Sequence, residues 1–323
     1  MRSRNNRICK TFNDQARRIA SSIRSARSTG LGILEETLTD ITVNYIQSRH
    51  ENKFFTKKFT RKEEGNLTGA DWLWCIGEPG AWISFTIQAK VVNPYTGRVH
   101  YLHYRRGQQH RLLINFSRIF GFVPKYSVFG TISTDTAFFA RSLPKLRNAS
   151  IDQWSFSMVS PKYVRDLVKP QDKDFSRVLD FSVPWSYVFC GDGSTMSKQP
   201  IAKQIAENLE DLYWEFEDEY RRRENRPPRN DFSRTMWENP QPTKLVTERM
   251  PMPVLYLLSV DRLRHRVPIS RVSLFSAIPA DRALAIEMRA VIGSRRWKLF
   301  PHTFESAIAR IQERVSDSLF IGP

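Results

Sequence analysis

The chain has 323 residues, 41% of them hydrophobic and 26% charged, a folded composition long enough for one large domain or two moderate ones. A chain of this length buries enough surface to need no disulfide or metal staple. The three cysteines, Cys9, Cys75 and Cys190, show no metal-site spacing, and their odd number argues against a secreted disulfide framework.

In chain order, the start MRSRNNRICKTFNDQARR is basic and lacks the apolar stretch of a signal peptide. No apolar run reaches the roughly 18 residues of a membrane span. A cytoplasmic protein is expected. Residues 1–29 read as a basic helical segment, with Phe12, Ala16, Ile19 and Ile23 on one side. Gly30 and Gly32 break it. A second helix over LEETLTDITVNYIQSR should bury a stripe of Leu34, Leu38, Ile41 and Tyr45. A hairpin follows over about 70–91, turning at GEPG, with a third strand near TGRVHYLHY. Residues 107–120 read as a helix, 123–132 and 154–160 as strands, and 161–169 as a helix with a proline in its first turn. This order predicts an α/β unit over 30–185.

Residues 190–200 read as a loop. A long helix over about 200–223 should bury Ile201, Ile205, Leu209, Leu212, Phe216 and Tyr220. Strands near 254–260 and 271–278 and helices near 281–292 and 302–318 complete a C-terminal α/β region, 186–323, of unknown role. It is either an extension or a second domain.

The hairpin GADWLWCIGEPGAWISFTIQAK, residues 69–90, carries the chemistry. Side chains alternate along a strand, so Ile83, Phe85, Ile87 and Ala89 share one face, and Ser84, Thr86, Gln88 and Lys90 the other. A buried lysine is costly unless it is paired. Asp71, on the partner strand, is within reach of it if the turn lies at 77–80. Carboxylates, a backbone carbonyl and a lysine are what phosphodiester hydrolysis needs. The oxygens hold a divalent cation that polarises phosphate and activates water, and the lysine stabilises developing charge.

Asp71 followed by Gln88-Ala89-Lys90 resembles the PD-(D/E)XK, or restriction-endonuclease-like, nuclease superfamily over about residues 30–165. That family puts an aspartate on the second core strand and (D/E)-X-K on the third. Two departures stand out: alanine precedes Asp71 where the family has proline, and Gln88 replaces the acid, a QxK variant. The resemblance implies a central mixed sheet flanked by helices. It implies a Mg²⁺ or Mn²⁺ site using Asp71, the Ala89 carbonyl and a glutamate of the preceding helix, where Glu35 and Glu36 both qualify. It gives Gln88 and Lys90 catalytic roles, and supporting roles to Gln108 or Gln109 in the following helix.

The 50 basic and 33 acidic residues leave a formal net charge of +17, which suggests a polyanion, nucleic acid above all. Lys57, Lys58, Arg61, Lys62, Arg105 and Arg106 flank the motif and are candidates for holding phosphates. His100, His103 and His110 read as basic surface around a turn. The expected function is a metal-dependent nuclease, an endonuclease acting on double-stranded DNA, in the manner of bacterial restriction or anti-phage defence. A protein or small-molecule trigger at the C-terminal region and a homo-oligomer fit the same reading. One alternative is a nuclease-like fold that binds nucleic acid without cutting. The other is a regulatory subunit that binds protein.

Overall fold

The computed structural model describes residues 4–99, 104–136, 138–161, 164, 174–190, 199–224, 242–251 and 254. The chain divides into two units, Met1–Val254 and Leu255–Pro323, and the description concerns the first. The strands and helices expected beyond residue 254, the helix expected at 161–169 and most of the loop at 190–200 fall largely outside the described residues. The boundaries expected at 30 and 186 both lie inside the first unit.

The fold is a mixed α/β one, a six-stranded sheet flanked by helices. Helices α1 (Arg4–Ser28) and α2 (Glu35–Arg49) precede strand β1 (Phe54–Lys58). A single turn of helix, α3 (Arg61–Glu63), runs into a π-helical turn, Glu64–Thr68. Strands β2 (Trp72–Glu78) and β3 (Ala81–Val91) form the hairpin, and α4 (Tyr104–Phe120) leads to β4 (Val123–Phe129). Then come β5 (Phe156–Val159), α5 (Phe175–Leu179), β6 (Ser182–Pro184), α6 (Trp185–Phe189) and α7 (Ile201–Glu224). The strands lie in sequence order. All neighbours are antiparallel except β3 and β4, which run parallel and are joined across α4, as a parallel connection requires.

The expected α1 stripe is buried: Phe12, Ala16, Ile19 and Ile23 are each at most 2% exposed. Phe12 enters an aromatic core, stacking on Phe189 and Phe156 and meeting Trp74 edge-on. Trp185 meets Trp74 and Phe85 edge-on, and its ring N–H donates to Ser127 Oγ at 3.0 Å. The other face of β3 is polar yet equally buried. There Thr86 exchanges a hydrogen bond with Ser117 of α4.

Several expectations need correction. Helix α2 buries Leu38, Thr39, Thr42, Val43 and Ile46, whereas Leu34 and Ile41 are 66% and 47% exposed. Its inward face is set by Gln15 of α1, whose amide donates to Thr42 Oγ1 at 2.9 Å, so the stripe is turned away from the most apolar residues. The third antiparallel strand is β1, ahead of the hairpin, because Phe54 and Thr56 pair with Ile76 and Trp74. Near TGRVHYLHY the described residues make isolated bridges alone, Val92 with Val99 and Arg98 with Asp174. Cys9 and Cys190 form a disulfide across 181 residues, clasping α1 to the end of α6; Cys75 is free and buried. Burial pushes the Cys75 thiol up to about 12, so it is inert as a nucleophile. Among the described residues, no helix is long and apolar enough to cross a membrane.

Candidate active site

The hairpin turn fixes the site. Gly77 pairs with Trp82 and Glu78 with Ala81, leaving Pro79 and Gly80 as a two-residue turn. Counting back, Trp72 lies opposite Ile87, which brings Asp71 level with Gln88. The Asp71 backbone is held from both sides. Its N–H donates to Ile87 O at 2.8 Å, and its carbonyl accepts from Phe59 N–H at 2.8 Å.

Asp71 keeps part of its surface at the mouth of the site, but its carboxyl points inward. Oδ2 accepts from Gln88 Nε2 at 2.5 Å and from Ala89 N–H at 2.6 Å. Gln88 Nε2 also lies 3.3 Å from Glu64 Oε1 and 3.3 Å from Ala89 O. The other amide atom, Gln88 Oε1, is buried and accepts no hydrogen bond, a state that costs about 1–3 kcal/mol. Gln109 of α4 donates its amide to Glu64 Oε1.

Helix α2 delivers Glu35 to the other side. Its Oε1 stands 3.6 Å from Lys90 Nζ. The Lys90 side chain is 4% exposed, and a buried ammonium is costly without such a partner. Glu36 points elsewhere, to an exposed ion pair with Arg61 at 2.5 Å. Of the two helix glutamates, the structure brings Glu35 to the site.

Glu64 had no place in the sequence reading. It sits on the π-helical turn Glu64–Thr68, which ends at Gly69 with φ 63°. A Cβ at Gly69 would lie 2.3 Å from Gln109 O and 2.4 Å from Leu113 N, so the turn rests directly on the α4 backbone. The one sequence signal near it is a capping box between Thr60 and Glu63, which marks a helix start but not a site.

Three carboxyls and one ammonium therefore share a buried region. Burial pushes Asp71 up to about 8; Lys90 opposes the rise, while Glu64 and Glu35 add to it. Burial likewise raises Glu35, with Lys90 opposing and Glu64 reinforcing. Negative charge gathered in a partly buried place is what a divalent cation relieves. Among the described residues, no three His, Cys, Asp or Glu side chains form a metal cluster by themselves. The Gln88 amide lies between two of the acids. The donor set still suits a hard cation, which takes oxygen ligands and keeps several waters. The unpartnered Gln88 oxygen is a further oxygen donor at this place.

The supporting residues sort as follows. Gln109 is buried and reaches the site through Glu64, while Gln108 is only half-buried. Lys57 is 4% exposed, with its ammonium 6.0 Å above the Phe59 ring. It is a strand residue that faces inward, so it is not a surface phosphate contact. Lys58 pairs with Asp40 and Arg61 with Glu36, both in exposed pairs, and Lys62 is exposed. The side chains of Arg105 and Arg106, and all of His100 and His103, lie outside the described residues. His110 is buried against Tyr126 rather than exposed in a basic surface.

Residues 8–279 match the protein family described as a family of unknown function, DUF6615, and the chain belongs to that family. No curated protein matches the chain.

Proposed function

We propose that this protein is a divalent-metal-dependent nuclease that hydrolyses phosphodiester bonds, with double-stranded DNA as the expected substrate. One observation carries the reading: Asp71, the Gln88-Ala89-Lys90 run and Glu35 meet at one end of the β2–β3 hairpin. The chain order supports it. A helix, three antiparallel strands, a helix and a strand parallel to the third carry the motif on the second and third strands. That is the core arrangement of the superfamily which the motif resembles.

In this reading Asp71 and the Ala89 carbonyl would hold Mg²⁺ or Mn²⁺, with Glu35 alongside, and the ion would supply polarisation of the scissile phosphate and activation of a water. Lys90, paired with Glu35, presents its ammonium where negative charge grows on the phosphorus oxygens. Ala89 N–H and the Gln88 amide fix the orientation of the Asp71 carboxylate. The net charge of +17 attracts the polyanion, and Lys62 with the exposed pairs Lys58–Asp40 and Arg61–Glu36 lies near the entrance in sequence. Exposed ion pairs are weak, so phosphate can displace their acids.

The test is cleavage of plasmid and linear duplex DNA, and of RNA, with Mg²⁺, Mn²⁺ or EDTA. Metal-dependent cleavage that Asp71→Ala and Lys90→Ala remove is the expected result. Metal-independent cleavage, or full activity in Asp71→Ala, would sink it. One observation favours a second reading, a fold that binds nucleic acid without cutting it. The Gln88 amide nitrogen already bridges two acids that would otherwise call for a cation. Salt-sensitive duplex binding with no cleavage under any metal would select that reading.

A further inference from the structure

Glu64 lies outside every position that the Asp71 and Gln88-Ala89-Lys90 motif assigns, yet it is built into the site. Three oxygens surround Gln88 Nε2: Asp71 Oδ2 at 2.5 Å, Glu64 Oε1 at 3.3 Å and Ala89 O at 3.3 Å. An amide nitrogen has two hydrogens, so it cannot serve three acceptors fully. Its own oxygen is meanwhile buried with no donor, in a side chain that is 0% exposed. The arrangement is thus short of positive charge on one side and of a donor on the other. A cation among the same oxygens corrects both defects, because it satisfies two carboxylates and a carbonyl and gives the free amide oxygen, directly or through water, something to face.

We propose that Glu64 is the second cation-holding carboxylate of this site. It supplies the acid that position 88 lacks, and Gln109 is its positioning residue. The proposal rests on the metal-dependent reading above and deepens it. Glu35 is not equivalent, since its carboxylate is engaged by the Lys90 ammonium. Glu64 Oε1 instead accepts from two neutral donors, the amides of Gln88 and Gln109, and Gln109 holds it in place. The same geometry accounts for glutamine at 88. A carboxylate there would put a third negative charge against Asp71 and Glu64, whereas the amide lets the two acids sit together before any metal arrives.

The experiment measures Mn²⁺ binding to the full chain by calorimetry and by the metal-induced rise in melting temperature, without nucleic acid. Glu64→Gln should lower Mn²⁺ affinity by at least about 10-fold while melting no earlier than wild type in EDTA. Glu64→Asp and Gln109→Ala should give smaller losses. Asp152→Asn, at a half-buried acid paired with Arg24, should bind Mn²⁺ like wild type. Unchanged affinity in Glu64→Gln overturns the assignment, as does a wild-type protein that binds no Mn²⁺. Should Glu64→Gln fail to fold, Glu64→Asp and Gln109→Ala decide by the same readout, and wild-type affinity in both overturns it. Cleavage is scored separately. Glu64-dependent binding with no cleavage of any nucleic acid leaves this assignment standing and removes the nuclease reading. Metal-dependent cleavage with Mn²⁺ affinity indifferent to Glu64 does the reverse.

Discussion

The two faces of the central sheet are filled by opposite kinds of side chain. On one face Phe12, Phe54, Trp74, Phe85, Phe156, Trp185 and Phe189 interlock, with ring centroids 4.0 to 6.0 Å apart. On the other, Ser84, Thr86, Gln88 and Lys90 are buried just as deeply, but among hydroxyls, amides and carboxyls. The aromatic face has costs of its own, since the ring N–H groups of Trp72 and Trp74 are buried without acceptors. Those unmet groups are neutral, however, and surrounded by contacts worth several kcal/mol per ring. The polar face carries an orphaned amide oxygen and an aspartate held near a pKa of about 8. One face holds the sheet together. The other gives up stability to keep acids, an amide and an ammonium close.

That contrast can be broken from either side. The largest expected effect is on chemistry: Asp71→Asn should cut metal-dependent cleavage by roughly 100-fold or more, measured as rate against Mn²⁺ concentration. Its melting temperature in EDTA should stay level or rise, because a buried acid has been removed; a large fall would show that Asp71 is structural. Trp185→Ala should do the opposite, costing about 3–5 kcal/mol of stability by denaturant titration while leaving cleavage per folded molecule near wild type. Next comes Cys9→Ser, which unclasps α1 from α6 and should cost about 2–4 kcal/mol against oxidised wild type, and nothing against reduced protein.

The pH dependence is smaller and separates two groups. Asp71 has a folded pKa of about 8, above its unfolded value, so it subtracts stability as pH rises from about 4 to 8. The ceiling is about 1.4 kcal/mol per pH unit, reduced because Asp71 is partly exposed and coupled to Glu35 and Glu64. His50 acts with the reverse sign. Burial, with Arg49 and Lys53 nearby, lowers it to about 4, so its contribution is lost as pH falls from about 6.5 to 4. Metal-free wild type should therefore change little between pH 4 and 6.5 and weaken above it. Asp71→Asn should remove the alkaline fall, and His50→Gln should expose it across the whole range. Denaturation midpoints at five pH values in EDTA check both. The smallest effect belongs to Leu34→Ser, within about 0.5 kcal/mol, since that side chain is 66% exposed.

The hairpin half of the site was legible in the sequence because a two-residue turn and a period of two leave one register, and that register levels Asp71 with Gln88. Helix α1 was legible because its apolar residues recur at helical spacing and all face one core. Helix α2 was not. Thr42 is buried by pairing with Gln15 of α1, and Thr39 is buried with no partner for its hydroxyl; the hydropathy pattern reports neither and favours Leu34 and Ile41 instead. Lys57 was read as surface because β1 was not recognised, and a charge on an unrecognised strand has no assigned face. Glu64 belongs to a π turn of five residues, which has no periodicity to read. Cys9 and Cys190 are joined only through the tertiary fold. Local geometry carries across from sequence; whatever depends on a second element arriving from elsewhere does not.

Gly69 shows how finely the polar half is set. With no Cβ, it lets the Glu64–Thr68 turn lie against the backbone of α4 at Gln109 and Leu113. A methyl group there has backbone on its far side and nowhere to go, and φ of 63° disfavours it further. Gly69→Ala would wedge turn and helix apart and draw Glu64 away from Gln109 and Gln88. Every acid, amide and ammonium of the centre would still be encoded, yet Glu64 would no longer stand beside the Gln88 amide. The tolerance of the centre is set, like the clearance of a bearing, by a residue with no side chain.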